Sequence, residues 1–309
     1  MRIAITGVAG FIGSNLAGRL LSEGYQVVGI DNLAYGLREN VPDGVEFHKR
    51  DIRDRGLYDL FEGVNAVFHL AAKNCISDCQ ADPIETADIN VTGTINVFEA
   101  AKRANVRKII YAESSALYEG STVFPTPESA VQPESFYAVS KFAGMHFADA
   151  YKRYFGTTFT ALRYFCVYGP VQDYRRTIPP VMSAFIIKLL KGERPVIYGT
   201  GEKRRDFVYV DDVNDFHLLC LRDSRTDNKT FNLGSGENHS VLEICDRVSR
   251  ILGVQIAPEI KPDLPGEAQM TLADISKASA LGWKPKTDLE TGLLRAVEYI
   301  KSEMAAGRI

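Results

Sequence analysis

The sequence predicts an α/β fold: a doubly wound parallel sheet of Rossmann type, with a smaller mixed α/β lobe. Three observations carry this expectation. Apolar runs of strand length alternate with amphipathic helical stretches from residue 2 to residue 164. The first of these runs ends in a glycine triplet and the second in an aspartate. After Gly169-Pro170 the alternation breaks into shorter pieces, with no internal repeat, low-complexity tract or flexible linker. We therefore expect a first domain over 1–168, rejoined by a strand and helix near 206–222, and a second lobe over 169–309 made of segments packed against it.

Arg2 to Thr6 reads as a short buried strand, and Gly7-Val8-Ala9-Gly10-Phe11-Ile12-Gly13 follows at once. Ser14 to Glu23 reads as a helix with Leu16, Leu20 and Leu21 on one face, ended by Gly24. A second strand, Gln26 to Ile30, leads to Asp31 and Asn32. A glycine triplet alone also makes a plain turn. Strand, glycine loop, helix, strand and acid in this order point instead to a dinucleotide site. The glycines let backbone N–H groups approach a pyrophosphate, and the helix N-terminus favours its negative charge. The spacing is G-x-x-G-x-x-G. Asp31 can accept hydrogen bonds from a ribose and would repel a 2′-phosphate, which favours NAD over NADP.

Val45 to His48 is a strand leading to Asp51-Ile52, and Gly56 to Phe61 a short helix. Ala66 to Leu70 is a strand running into Ala71-Ala72. Asp82 can cap the next helix, with Pro83 at its first position and Glu85 at its third. Ile84, Ala87, Val91, Phe98 and Ala101 give that helix an apolar stripe through residue 104. Lys108 to Ala112 is a strand that delivers Glu113-Ser114-Ser115. A helix over about 136–155 and a strand from Phe159 to Tyr164 follow. Further on we expect a helix near 179–191, a strand Val196–Tyr198, and a strand and helix over 206–221. Thr230 to Leu233, a helix over 240–252 and an amphipathic helix over 289–304 are assigned to the smaller lobe.

Composition narrows the classes. The net charge of −3 over 309 residues offers no field for nucleic acid, and no apolar run reaches the ~20 residues that span a bilayer. No secretory signal is visible, and five cysteines, an odd number, suit reduced thiols in a cytoplasm. Cys75 and Cys79 have no second Cys/His pair at ligand spacing, so no metal is expected.

Tyr137 is the only one of the fourteen tyrosines followed by Lys at i+4. On a helix, Lys141 shares its face, and a nearby ammonium lowers a phenol from its ordinary value near 10. Seen alone, the pair is a solvated surface feature. Ser114, at a strand end, is by itself a satisfied hydroxyl. Ligands of an open parallel sheet gather at the carboxyl ends of its strands, where the glycine loop and Ser114 both fall. A serine, a tuned tyrosine and NAD in one crevice suit hydride transfer at a carbinol carbon. Tyr137 takes the proton, Ser114 binds the oxygen, and Lys141 holds the cofactor ribose and biases the tyrosine.

These stretches together resemble the extended short-chain dehydrogenase/reductases of the nucleotide-sugar epimerase group, in particular its UDP-glucose 4-epimerase-like branch. The resemblance rests on Thr6 to Gly13, Asp31-Asn32-Leu33, Asp51-Ile52, His69-Leu70-Ala71-Ala72, Ser114 four before Tyr118, and Tyr137/Lys141. Leu162-Arg163-Tyr164-Phe165, Arg205 to Asp212, Pro265-Gly266-Glu267 and Ala273 to Ala278 complete it. It implies a tightly bound NAD, reduced and reoxidised in one turnover, and inversion at C4 of a UDP-sugar through a 4-keto sugar. It implies cofactor contacts from Gly7, Gly10, Phe11, Ile12, Gly13, Asp31, Asn32, Asp51, Ile52, Leu70, Ala71, Ala72 and Tyr164. It implies a homodimer built on the helices near 83–104 and 136–155. Ser115, Cys166, Arg205, Glu267 and Thr271 become the substrate positions, Arg205 on the diphosphate.

Relatives that remove water carry Asp-Glu after the serine position, and decarboxylating ones carry a Glu in that loop; here Ser115-Ala116 stand there. Glu113 precedes Ser114 and should point to the other side of the strand. Cys166 replaces a usual Asn and reads as a small apolar filler before a reactive thiol. Leu264 replaces a usual Arg. Thr271, small at the position that gates C2 substituents, implies that UDP-GlcNAc and UDP-GalNAc are accepted at least as readily as UDP-glucose. A related dehydratase, 3,5-epimerase or reductase, and a non-catalytic NAD-binding regulator, are the alternatives.

Overall fold

The computed structural model describes residues 1–176, 178–263 and 268–309. In chain order its elements are β1 (Arg2–Thr6), α1 (Phe11–Ser22), β2 (Gln26–Asp31), β3 (Glu46–Lys49), β4 (Ala66–His69), α2 (Ile76–Ala81), α3 (Pro83–Ala87), α4 (Thr94–Arg103) and β5 (Lys108–Ser114). There follow α5 (Phe136–Phe155), β6 (Phe159–Tyr164), β7 (Cys166–Tyr168), α6 (Val181–Leu190), β8 (Val196–Tyr198), β9 (Arg204–Arg205), β10 (Phe207–Tyr209) and α7 (Val210–Arg222). Then come β11 (Lys229–Leu233), β12 (His239–Ser240), α8 (Val241–Leu252), β13 (Glu259–Lys261), α9 (Ser276–Ser279) and α10 (Leu289–Ala305).

The chain divides into two compact units. The first is Met1–Ser121, Glu128–Tyr164 and Asn214–Asn232; the second is Thr122–Pro127, Phe165–Val213 and Leu233–Ile309. The first holds the seven-stranded sheet, in the order β11-β6-β5-β4-β1-β2-β3. The pairings that join β1 to β6 are all parallel. One face carries α4 and α5 over a core of Phe98, Tyr111, Ala148, Tyr151 and Phe159. On the other, Phe68 meets His217 of α7 edge to face at 5.2 Å. Helices on both faces of a parallel sheet make it doubly wound, and the near-continuous burial of its inner strands β1, β4, β5 and β6 follows from that.

Several expectations change. Residues 230–233 were assigned to the smaller lobe; they belong to the edge strand beside β6, because the Asn228 N–H bonds the Phe159 carbonyl and feeds the chain onto that edge. The first helix begins at Phe11 instead of Ser14, since the Ser14 N–H already bonds the Gly10 carbonyl. Arg55–Phe61 is a 3₁₀ turn capped by Asp54. The helix after Pro83 is interrupted by a π-helical turn over Asp88–Gly93. Its N-terminal stripe is turned outward: Ile84 is 85% exposed and Ala87 is exposed, while Thr86, Asn90 and Thr94 are buried instead. The extra residue of the π turn rotates the face presented to the sheet.

The second unit holds small paired strands. β10 runs parallel to β7, β13 parallel to β8, and β12 antiparallel to β9. A buried Asp206 ties it together, accepting from the N–H groups of Ser235 (2.6 Å), Gly236 (3.1 Å) and Ala273 (2.9 Å) and from the Ser235 hydroxyl (2.9 Å). Burial pushes its carboxyl up and these donors hold it down. Among the described residues, no helix is long and apolar enough to cross a membrane.

Candidate active site

The glycine loop joins β1 to α1. Gly7 adopts φ +79°, and a Cβ on it would lie 2.8 Å from the Ala71 backbone nitrogen. A Cβ on Gly13 would run into the carbonyl of Gly7. Glycine is thus required at both places, and the bare backbone forms a cradle in front of the α1 N-terminus, where no side chain caps the helix. Phe11 and Ile12 open the helix, half-buried. Asp31 ends β2 with Oδ2 accepting from Ala9 N (3.0 Å) and Oδ1 from Leu33 N (2.8 Å). Burial raises its carboxyl, and these bonds oppose that. Each oxygen keeps a lone pair for a ribose hydroxyl. Asn32 is exposed and donates to Asp51 Oδ2 at 2.8 Å. The Arg53 guanidinium beside Asp51 holds that carboxyl down at about 2. Ile52 is buried against Gly93. Leu70, Ala71 and Ala72, half-buried, continue β4 past its end. A cradle that a Cβ would fill, a helix N-terminus and a fixed carboxylate fit a dinucleotide.

Ser114 ends β5 and its Oγ accepts from Ala116 N at 3.1 Å, leaving its proton to donate. Ser115 opens the 3₁₀ turn that follows. Tyr137 and Lys141 lie in α5, whose first turn is fixed twice. The Ser135 hydroxyl accepts from Ala138 N (3.1 Å), and Glu119 accepts from Ser135 N (2.8 Å) and Ser135 Oγ (2.9 Å). Tyr137 is half-buried. Lys141 is not a solvated partner for it, as the pair alone suggested. Its side chain is buried, its ammonium 4.3 Å above the centre of the Tyr111 ring. Burial pulls Lys141 down to about 8, against the pull of Glu113. The phenol of Tyr164 is buried and its hydroxyl is taken by His217 Nε2 at 2.7 Å, and burial pushes it well above its ordinary value.

One network went unseen in the sequence. Ala71 N–H donates to Thr6 Oγ1 (3.3 Å), which lies 2.7 Å from His69 Nδ1; His69 Nε2 lies 2.9 Å from Thr94 Oγ1. Thr94 donates to the Asn90 carbonyl at 2.6 Å, so it accepts from His69, which fixes the Nε2–H tautomer. Burial, then the Lys141 charge, holds His69 well below its ordinary value, hence neutral. The Asn90 amide donates to Ser140 Oγ (2.9 Å), and Ser140 donates to the Tyr137 carbonyl (2.8 Å). The π turn of residues 88–93 places Asn90 there. The chain of bonds fastens the glycine-loop strand to the turn that carries Tyr137, and only the i to i+50 and i to i+63 proximities reveal it.

In the second unit, Cys166, Arg205 and Thr271 converge on the backbone of Asp206. Cys166 N donates to the Asp206 carbonyl (2.9 Å), and Asp206 N donates to Thr271 Oγ1 (3.1 Å). Arg205 pairs with His239 across β9 and β12. Glu267 and Leu264 lie outside the described residues.

The family model described as the NAD dependent epimerase/dehydratase family matches residues 3–234. A putative UDP-glucose 4-epimerase of Methanocaldococcus jannaschii is 37% identical over 97% of this chain and 98% of its own length. The crystal structure of a Thermotoga maritima UDP-glucose 4-epimerase with UDP-glucose superposes with a TM-score of 0.95 at 35% identity, covering 98% of this chain and 100% of that one. A UDP-N-acetylglucosamine 4-epimerase of Methanobrevibacter ruminantium, in complex with UDP-N-acetylmuramic acid, gives 0.94 at 31% identity, over 98% and 99%.

Proposed function

Because the chain belongs to the NAD dependent epimerase/dehydratase family, we propose that it inverts C4 of a UDP-sugar through a transient 4-keto sugar. The cofactor is NAD, which when bound accepts a hydride and gives it back. The reading is carried by one observation: Ser114 ends β5 while Tyr137 and Lys141 ride the helix packed on that strand, in the unit that holds the glycine loop.

Gly7, Gly10, Gly13 and the α1 N-terminus hold the pyrophosphate through backbone N–H groups, and Asp31 binds the adenosine ribose. Tyr137 removes the C4 hydroxyl proton and later returns it. Ser114 donates to the same oxygen as it becomes a carbonyl. Lys141 keeps a positive charge beside the tyrosine. The C4 hydrogen leaves one face of the sugar and returns to the other after the keto sugar turns over, so atoms and electrons balance within one molecule. The carboxylate of Glu113 is committed to Arg163 at 2.8 Å, and Ser115-Ala116 supply no acid, which supports epimerisation over loss of water.

Arg205 is proposed to bind the diphosphate, whose geometry suits a guanidinium. Thr271, small and tied to Asp206 N, leaves room for a C2 acetamido group, so UDP-GlcNAc and UDP-GalNAc are substrates beside UDP-glucose and UDP-galactose. A homodimer is proposed on the helices after Pro83 and of α5. There Ile84, Phe136 (52%), Val139 (50%) and Phe147 (39%) leave an apolar face open to solvent. Five free cysteines support a cytoplasmic setting.

The test is a panel of UDP-sugars read by NMR. Inversion at C4 with the C4 deuterium kept in the same molecule, and loss of about 10² to 10⁴ in rate on Tyr137→Phe with NAD still bound, are expected. Washout of deuterium to solvent, or stoichiometric NADH consumption, overturns the reading. Activity on UDP-galactose with none on the acetamido sugars overturns the assignment of Thr271.

A further inference from the structure

Glu113 stands beside Ser114 and has no part in the steps above. The two-residue period of β5 puts it on the same side of the strand as Tyr111. It is buried, its Oε2 accepting from Arg163 Nε at 2.8 Å. Arg163 is fixed in turn by the Tyr118 hydroxyl (2.8 Å) and the Glu128 carbonyl (2.5 Å). Oε1 has no hydrogen-bond partner, alone in this among the buried side-chain oxygens and nitrogens of the described residues. A buried acceptor left open is destabilising and rare, and asks for a reason.

Two residues back along β5, Tyr111 supplies the ring over which Lys141 lies. Lys141 brings its ammonium over Tyr111, 4.3 Å from the ring centre, and among the described residues no carboxylate is within ion-pair distance of it. The groups facing this corner are His69 on β4, Tyr111 and Glu113 on β5, Tyr137 and Asp149 on α5, and Arg163 on β6. His69 is neutral, and Asp149 acts on Glu113. Glu113 is the carboxylate whose charge reaches Lys141. A ring face and a carboxylate with a spare oxygen are the surroundings a buried cation needs.

We propose that Glu113 is a positioning residue for Lys141: clamped by Arg163 with one oxygen open, it keeps the buried ammonium charged. This rests on the reading of Tyr137 and Lys141 as the proton-abstracting pair. Burial pulls Lys141 down to about 8 even with Glu113 working against that fall. Without that charge, Lys141 gives up its proton at lower pH, and Tyr137 loses the field that favours its phenolate.

Two readouts test it on the NAD-loaded enzyme: the alkaline limb of kcat against pH, and the ¹³Cε resonance of Lys141, assigned with Lys141→Met. In Glu113→Gln both midpoints should fall by roughly one pH unit, while Glu113→Asp keeps the wild-type midpoint. A destabilised protein active to the same fraction at every pH, with the Lys141 midpoint unmoved, overturns the proposal. Should the single variant fail to fold around an unopposed guanidinium, Glu113→Gln with Arg163→Met removes both buried charges. Its Lys141 midpoint must also lie below the wild type, and an unchanged one overturns the proposal. If the wild type inverts no sugar, the functional reading fails, and the resonance still decides the role of Glu113.

Discussion

Tyr111 holds Lys141 at both ends: its ring lies 4.3 Å beneath the ammonium, and its hydroxyl donates to the Lys141 carbonyl at 3.0 Å. The arrangement exists because Gly144, one turn along α5, leaves room for that hydroxyl; a Cβ there would strike it. Gly144→Ala should therefore push Tyr111 out of register and lower stability by about 1–3 kcal/mol. It should cost more in kcat than in KM, measured by steady-state kinetics beside a denaturation curve. An alanine variant with unchanged kcat would show that the Tyr111 ring does not set the place of Lys141.

Acid should unfold the protein through its histidines. His217 is buried and held at about 3, and His69 well below its ordinary value, both by burial. In the unfolded chain each takes a proton below about pH 6.5. The unfolded state then binds more protons than the folded one, so stability is intact above that pH and falls as pH drops toward about 3 for His217. Each buried histidine contributes about 1.4 kcal/mol per pH unit in that window. Denaturant midpoints of the wild type should decline between pH 7 and pH 5, and less steeply in His217→Gln. Parallel slopes in the two proteins would be the contrary result.

Asp206 fixes Cys166, Arg205 and Thr271 through its own backbone while its carboxylate binds three N–H groups and a hydroxyl. Asp206→Ala leaves those buried donors open and should cost roughly 3 kcal/mol. With Arg205 and Thr271 displaced, KM for the UDP-sugar should rise more than kcat falls. Isothermal titration with UDP isolates the effect. Undiminished UDP affinity would remove Arg205 from the binding set.

The apolar face of Ile84, Val139 and Phe147 gives a prediction about assembly. Phe147→Asp places a charge where a partner helix would sit and should convert the proposed dimer to a monomer in sedimentation velocity, with the fold retained by circular dichroism. A wild type that sediments as a monomer at micromolar concentration would exclude the interface.

Local chemistry was legible wherever neighbours in sequence decide it. α5 begins and ends as its sequence predicts, because Ser135 caps it and Gly156 takes φ +70° at its end. The glycine loop and Asp31 lie where strand, turn and strand deliver them. Ser114 falls at the strand end that the apolar run of β5 announces. What stayed hidden depends on which segment lies beside which. Ile84 and Ala87 fit a buried helical stripe until the π turn rotates it away. The run 229–233 has the composition of a strand, and nothing in it names β6 as its partner. Lys141 looked solvated because the Tyr111 ring that covers it comes from another strand. The order and spacing of the residues suggested the roles of Ser114 and Tyr137, not the closed environment in which Lys141 works.

The hydrogen-bonded chain from Thr6 through His69, Thr94 and Asn90 to Ser140 has a kinetic meaning. Apart from the local Thr94–Asn90 bond, its links join residues 63, 25 and 50 positions apart, so these do not form by local collapse. A nascent chain released before α5 would carry the whole glycine cradle and still lack the bond that seats Tyr137. Cofactor affinity and turnover should therefore appear at different times during refolding, the first as β1 and β4 pair, the second only when the Asn90 amide finds Ser140.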